Sequence, residues 1–546
     1  MESLEGQVIG HWTSILPPLM AVLVALFFRS LVLALTSAFF LGAILSFGPV
    51  PWVFIPYAAR DFIWSNLVDQ FNLFIFLFLF SLMGMIHVTY RSGGIQGLVG
   101  QFQKVARGPR STKLAAMISG LVIFFDDYSN TVVVGSTMKG LSDRWRISRE
   151  KLSYIVDSTT APIAGLAVVS TWIAFEVFLF SQISQQLHLG EGGYAIFVRI
   201  IPFRFYCWGT LIFVFLTSLL DRDFGPMLRA ETRASLEGKV LSDNARPMVS
   251  ENRKAIKPDL SKPQRWYNAG LPIILVISGI FGGILATGGL RLVENGEAFS
   301  LMSISDWRAA FGEATNPEYG EAGSMLILFV SALAGGVLAI VMAVSQKILT
   351  LKSAAVAYLQ AIPTMWMAIF ILIMAWAMKE ICTSGLHTDT FLIYLLGERL
   401  PLWTLPVTTF LIASGMAFAT GTSFGTMAIL IPVILPLAHA MGAYEEGNRL
   451  IFWLASAAVL DGAIFGDHCS PISDTTVLSS LSTGCDHIDH VETQMVYAVT
   501  TMILVSVTGY LALPMGLPLY SFFIFFTMLS IVILLVVGRR IPRPVP

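Results

Sequence analysis

The sequence predicts an all-α polytopic membrane protein with about eleven transmembrane helices plus two re-entrant hairpins, arranged as two inverted repeats. Three observations predict it. Of the 546 residues, 55% are hydrophobic and only 13% are charged, against roughly 25% charged in a soluble domain, and the mean hydropathy is +0.73. The apolar residues come in blocks able to cross a bilayer, about 20 residues each. Phe71–Tyr90, Phe197–Leu220, Leu271–Leu290, Met325–Val344 and Phe522–Val537 are such blocks. Polar breaks then recur at corresponding places in the two halves of the chain.

Composition also excludes several classes. A net charge of -1 points to neither nucleic acid nor an acidic partner. The four cysteines, Cys207, Cys382, Cys469 and Cys485, show no CxxC spacing and read as reduced packing residues. The start, Met1-Glu-Ser-Leu-Glu5, lacks the basic region of a cleaved signal, so the first apolar segment is expected to remain as a span. Phosphate-loop, CxxCH and HExxH motifs are absent, which argues against a pump with its own ATPase.

The elements follow in order. Residues 1–66 are expected to hold the N-terminal spans, and 67–220 the first repeat, with a hairpin at 114–141 and a broken helix at 152–180. A cytoplasmic loop fills 221–268. The second repeat, 269–513, carries a hairpin at 403–438 and a broken helix at 451–480, and 514–546 forms a C-terminal span and basic tail. Orientation comes from Lys and Arg, which are enriched in cytoplasmic loops. Arg91–Lys113 and Lys139–Lys151 hold five each, 221–268 holds ten, and Arg539, Arg540 and Arg543 mark the C-terminus, whereas Arg291–Glu321 is acidic. The N-terminus is therefore expected outside and the C-terminus in the cytoplasm. Leu481–Glu492 is acidic where this topology asks for basic residues.

The hairpin at 114–141 resolves a conflict. Only Leu114–Met138 separates the first two basic loops, and Asp126-Asp127-Tyr128-Ser129-Asn130 interrupts it. Two arms of about 12 residues reach about 18 Å, short of a core roughly 30 Å thick. A hairpin with both ends inside satisfies charge and length together. In the second half, Trp403–Ala438 is broken at Thr420–Thr426. Ile451–Ser480 is broken by Asp461 and by Gly466–Asp474, and Leu152–Phe180 by Asp157–Pro162. The Asp157-to-Asp461 and Pro162-to-Pro471 offsets are 304 and 309 residues, so the repeat is weak.

The chemistry lies at these breaks. A carboxylate in hydrocarbon costs at least about 2.5–3.5 kcal/mol and is a functional hypothesis by default. Asp126, Asp127, Asp157, Glu176, Asp461, Asp467 and Asp474 stand inside apolar segments, and those segments contain no Lys or Arg to pair with them. Protons or a bound cation must then neutralise them. Ser129, Asn130, Thr131, Ser158, Thr159, Thr160, Thr422, Ser423, Ser470, Ser473 and Thr475 add neutral oxygens. Freed carbonyls and half-helix C-termini would complete a hard-oxygen set for a monovalent cation. The competing reading is that hydroxyls bond back to their own helices or glue helices together. Na+ is expected at Asp126, Asn130, Asp157, Asp461, Asp467 and Asp474, and Asp467, His468 and Glu176 are candidate proton carriers. His468 could equally prop the loop, and with Cys469 it forms no soft-metal site, because no second pair stands at ligand spacing. Trp172, Phe175 and His87 read as packing or interface residues.

At these motifs the chain resembles the NhaC-type Na+/H+ antiporter family. The resemblance rests on Gly466-Asp-His-Cys-Ser-Pro-Ile-Ser-Asp-Thr-Thr476, supported by Phe125-Asp-Asp-Tyr-Ser-Asn130 and Asp157-Ser-Thr-Thr-Ala-Pro-Ile163, and it covers roughly residues 70–510. It implies a bacterial inner membrane, Na+ as coupling ion with no other cofactor, and an elevator-like motion of the hairpin domain. The resulting expectation is a secondary transporter exchanging Na+ for H+. The alternative is Na+- or H+-coupled movement of a small organic acid or amino acid. An organic anion would ask for an intramembrane Lys or Arg, and none is evident, which favours a bare cation. A homodimer is left open. An intramembrane hydrolase built on Asp467, His468 and Ser470 is disfavoured, because consecutive side chains diverge rather than form a relay.

Overall fold

In lipid every backbone polar group must be satisfied internally, so the apolar blocks become helices. The computed structural model describes residues 11–28, 31–247, 262–315, 322–388, 391 and 401–543. In chain order the principal helices are α1 Leu16–Phe28, α2 Leu31–Phe47, α3 Gln70–Arg91, α4 Pro109–Val122, α5 Asp127–Arg144, α6 Arg149–Ser158, α7 Ile173–Leu187, α8 Gly193–Ile200, α9 Phe205–Leu220 and α10 Gly225–Glu237. The second half contributes α11 Tyr267–Glu294, α12 Ala322–Ser345, α13 Trp366–Glu380, α14 Leu405–Thr420, α15 Ser423–Ala440, α16 Arg449–Cys469, α17 Asp474–Thr483, α18 His487–Val505 and α19 Leu519–Val536. The expected starting segment 1–10, the centre of the long polar loop and part of the acidic loop, with Glu318 and Glu321, lie outside the described residues.

Among the described residues eight helices are long and apolar enough to cross a membrane, or nine if a bent pair counts as one span. That pair, Gly193–Phe203 and Phe205–Leu220, turns by 44° at Arg204. The block Phe197–Leu220 is therefore broken, not continuous. The reverse holds at Asp461, where α16 runs unbroken and the real interruption is at 470–473. After α6 the break is longer than a single kink, because a short turn of helix, Ala161–Ala164, and a non-helical stretch intervene before α7.

Helices α14 and α16 pack backbone to backbone. A Cβ on Gly466 would come within 2.3 Å of the Ala417 backbone, and one on Gly462 within 2.7 Å of the Phe410 carbonyl oxygen. Two glycines four residues apart let the backbones touch, the small-xxx-small solution of helices in lipid. This contact fixes α16, and with it Asp467, against the α14–α15 break.

The polar loop after α9 is not simply solvated. Strand β1, Arg222–Asp223, pairs antiparallel with β2, Arg539–Arg540, and ties the C-terminal tail to the body. Two lysines of the basic stretches are fully buried here. Lys113 Nζ lies 2.6 Å from Asp221 Oδ1 and 3.3 Å from Glu231 Oε2, and Lys151 Nζ lies 2.7 Å from Asp223 Oδ1. Arg543 of the tail reaches Asp221 at 3.1 Å. Burial alone would push the Asp221 carboxyl up, but Lys113 and Arg543 outweigh it and hold it below the usual carboxylate range.

Breaking a buried ion pair from one side costs about 3–5 kcal/mol, so Lys113→Ala is expected to lower the unfolding midpoint in detergent clearly. Because the folded Asp221 carboxyl titrates below its unfolded value, its contribution is present above the ordinary carboxylate pKa of about 4 and fades as pH falls through that range. The gap between Lys113→Ala and the parent should narrow in acid, and an equal gap at pH 3 and pH 7 would refute this role.

Candidate functional site

The polar breaks are helix starts, and their side chains are placed by capping. At the first, α4 stops and Asp126 caps α5, its Oδ2 accepting the Ser129 N–H at 2.8 Å. At the second, Gly421 closes α14 in the left-handed region, φ +68, a conformation glycine adopts without strain. Thr422 then caps α15 through its Oγ1, which accepts the Gly425 N–H at 3.3 Å. A Cβ on Gly421 would also lie 2.7 Å from Ile472. The second break is thus pressed against the third, between α16 and α17.

The three breaks meet at one cavity of about 660 Å³. Asp126, Asp127, Tyr128 and Ser129 reach it from the first break, Thr422, Ser423 and Phe424 from the second, and Asp467, Asp474 and Thr475 from the third. The rest of the lining includes Leu79, Met83, Ile86 and His87 of α3 and Ile371 and Leu372 of α13. Among the described residues no Lys or Arg lines it. Asp126, Asp127 and Asp467 are buried, whereas Asp474 and Tyr128 are exposed toward the open side.

Neutral donors steady these acids. Asp127 Oδ2 accepts the Trp172 indole N–H at 3.0 Å, and its Oδ1 accepts the Tyr128 N–H at 2.9 Å. Asp467 accepts the Ser473 hydroxyl, and Asp474 accepts the Tyr128 hydroxyl at 2.5 Å. Asp127 and Asp474 also occupy the first positions of α5 and α17, where the helix dipole favours negative charge. Helix starts thus carry Asp126, Asp127 and Asp474, while Asp467 stands in the last turn of α16, a helix end.

Other expected ligands are committed to partners within the protein, Ser423 among them although it lines the cavity. Asn130 Nδ2 donates to the carbonyls of Gly120, 2.8 Å, and Thr159, 2.7 Å, binding α4, α5 and the break after α6 into one unit. Thr131 Oγ1 meets Thr160 Oγ1 at 3.1 Å. The hydroxyls of Thr159, Thr160, Ser423 and Ser470 donate to the carbonyls of Ile155, Val156, Ala463 and Phe418. Thr159 and Thr160 thus bond back to their own helix, while Ser423 and Ser470 tie neighbouring helices together. Asp157 accepts Gln494 Nε2 at 2.6 Å. His468 is clamped between Ser158 Oγ, 2.9 Å, and the Tyr206 hydroxyl, 2.8 Å, and does not line the cavity.

Asp461 and Glu176 are placed differently again. Arg204, fully buried at the α8–α9 bend, lies 2.9 Å from Asp461 Oδ1 through Nε and 3.6 Å from Glu176 Oε1 through Nη1. Asp461 Oδ2 further accepts the Tyr206 N–H at 2.6 Å and the Tyr510 hydroxyl at 2.7 Å. The expectation that the intramembrane acids lack a basic partner is therefore corrected for these two, because a neighbouring element supplies the arginine. Asp126, Asn130, Asp157, Asp461, Asp467 and Asp474 do not form one ligand set. Among the described residues no three His, Cys, Asp or Glu side chains are grouped to hold a metal ion. His87, Tyr128, Thr171 and Trp172 line the cavity, and only their convergence in space reveals it.

Comparison with known proteins agrees with this picture. The family model described as the Na+/H+ antiporter family matches residues 163–513. An uncharacterized protein of Haemophilus influenzae is 30% identical over 507 residues, 91% of this chain and 90% of its own. The malate-2H(+)/Na(+)-lactate antiporter of Bacillus subtilis is 38% identical over 107 residues, 19% of this chain and 21% of its own. The crystal structure of the Alcanivorax borkumensis YdaH transporter superposes with a TM-score of 0.53 at 15% identity, covering 84% of this chain and 89% of that one, which is a likeness of fold.

Arg204 should act as a structural hub. Arg204→Met strands two buried carboxyls, a loss of about 3–5 kcal/mol, and adding Asp461→Leu and Glu176→Gln should recover much of it. Unfolding in detergent measures both, and a neutral Arg204→Met would sink the assignment.

Proposed function

The chain belongs to the Na+/H+ antiporter family, and on that premise we propose that it exchanges Na+ for H+ across a bacterial inner membrane, with its N-terminus outside and its C-terminus in the cytoplasm. That it is a multi-pass membrane transporter follows from family and fold. The observation that carries the exchange reading is the convergence of Asp126, Asp127, Asp467 and Asp474 on one cavity without a lining Lys or Arg.

Four carboxylates in one confined space repel each other, and the neutral donors around them only partly offset that charge. The remainder is met by what enters from solution. A proton neutralises a carboxyl covalently, and Na+ does so by coordination to hard oxygens, here carboxylate together with the hydroxyls of Ser129, Thr422 and Thr475. The two occupancies exclude each other, so loading Na+ releases protons and loading protons releases Na+. Exposing the loaded cavity to alternate sides turns that competition into antiport. Asp126 and Asp127 move with α4–α5, and Asp467 with the α14–α16 contact, so the breaks act as one body.

A second reading has its own support. The cavity, about 660 Å³, exceeds the needs of a bare ion and falls within the range of small-molecule sites, about 300–1,000 Å³. The Bacillus subtilis relative is named for malate and lactate. Na+- or H+-coupled transport of a small organic acid or amino acid fits these two facts.

Proteoliposomes test the exchange. An internal acid load should be discharged by external Na+, and Asp467→Asn should reduce that discharge to the rate of protein-free vesicles. Discharge that is undiminished in Asp467→Asn would defeat the proposal. Discharge that requires an added carboxylic acid would favour the second reading.

A further inference from the structure

We infer that the cavity also takes an organic cation, an ammonium group on an apolar body, as a transported solute. This rests on the exchange reading and names a class of substrate for the same site. Size is the first ground, because an ion and its few waters, each about 30 Å³, leave most of the 660 Å³ unexplained. The second is the sorting of its walls. The acids come from the three breaks, while α3 and α13 line the same cavity with the apolar Leu79, Met83, Ile86, Ile371 and Leu372. A solute with one charged end and one greasy end matches that division, and a hydrated ion does not.

The third ground is an aromatic group placed beside the acids. Trp172, whose indole N–H bonds Asp127, packs on Phe424 with ring centroids 5.0 Å apart. Phe175 stands edge-on to Phe424 at 5.1 Å and 77°, and all three rings line the cavity. Carboxylate plus ring face is the arrangement that holds alkylammonium groups, through charge and cation–π attraction.

An organic anion finds no such welcome. Arg204 is committed to Asp461, Glu176 and the Gly165 carbonyl, outside the cavity. The helix starts at the first two breaks, which would bind an anion, are filled by the chain's own oxygens, Asp126 on Ser129 and Thr422 on Gly425. An entering ammonium ion would displace one proton or one Na+ from the carboxylates, so charge balances without a further co-reactant.

Purified full-length protein in detergent, at pH 7 and constant ionic strength, tests this with phenethylammonium and its anionic counterpart 3-phenylpropionate. Phenethylammonium should raise the thermal unfolding midpoint and displace bound radioactive Na+, and 3-phenylpropionate should do neither. Phe424→Ala should weaken the ammonium about tenfold, and Phe424→Tyr, which keeps the ring, should restore it. Binding of 3-phenylpropionate in place of the ammonium would overturn the inference. Intact Na+/H+ exchange in vesicles with no ammonium binding would overturn it while leaving the exchange reading in place, whereas loss of exchange in the same vesicles would remove that reading as well.

Discussion

The structure is organised around the cost of holding negative charge away from water. Among the buried carboxyls, six stand inside the apolar segments, Asp126, Asp127, Asp157, Glu176, Asp461 and Asp467, and each needs compensation that hydrocarbon does not supply. The chain meets this in two ways. Around Arg204 the compensation is permanent, with Asp461 receiving a guanidinium, a backbone N–H and a tyrosine hydroxyl. At the cavity it is incomplete, with an indole, two hydroxyls and helix starts but no fixed positive charge. Full compensation makes a strut, and partial compensation leaves a place for a mobile cation.

Helix breaks are what allow the second arrangement. A continuous helix presents a side chain every 100° around its axis and cannot gather several carboxyls at one level. Ending a helix and restarting it turns N1 and N-cap residues toward a common point, as Asp126, Asp127 and Asp474 show. The freed backbone is satisfied locally by caps, and Asn130 crosses to the carbonyls of Gly120 and Thr159. Close glycine contacts between α14 and α16 then hold separate breaks in register.

Much of this was legible in the chain itself, for identifiable reasons. Polar runs inside apolar blocks are costly enough to stand out, so Asp126-Asp127, Thr422-Ser423 and Asp467–Asp474 mark the cavity correctly as a place where chain is interrupted. Asp461 and Glu176 looked alike to those acids, because their partner comes from another element, 257 residues from Asp461. The available signal was Arg204 itself, a guanidinium placed with Arg199 in the otherwise apolar block Phe197–Leu220. His87 and Trp172 carry no local mark at all, since a histidine or a tryptophan in an apolar helix usually packs. Lys113 and Lys151 were read as solvated loop charges, and only the fold of β1 and α10 around them shows that they are enclosed.

The short β1–β2 ribbon has a practical corollary for anyone handling the protein. Because Arg539 and Arg540 are stitched to Asp223 and Arg222, and Arg543 grips Asp221, a purification handle or fluorescent reporter spliced close behind that arginine would tug on the arm that leads into the first acid pair. A generous flexible spacer there would keep the appended domain from reporting on, or disturbing, the very motion under study.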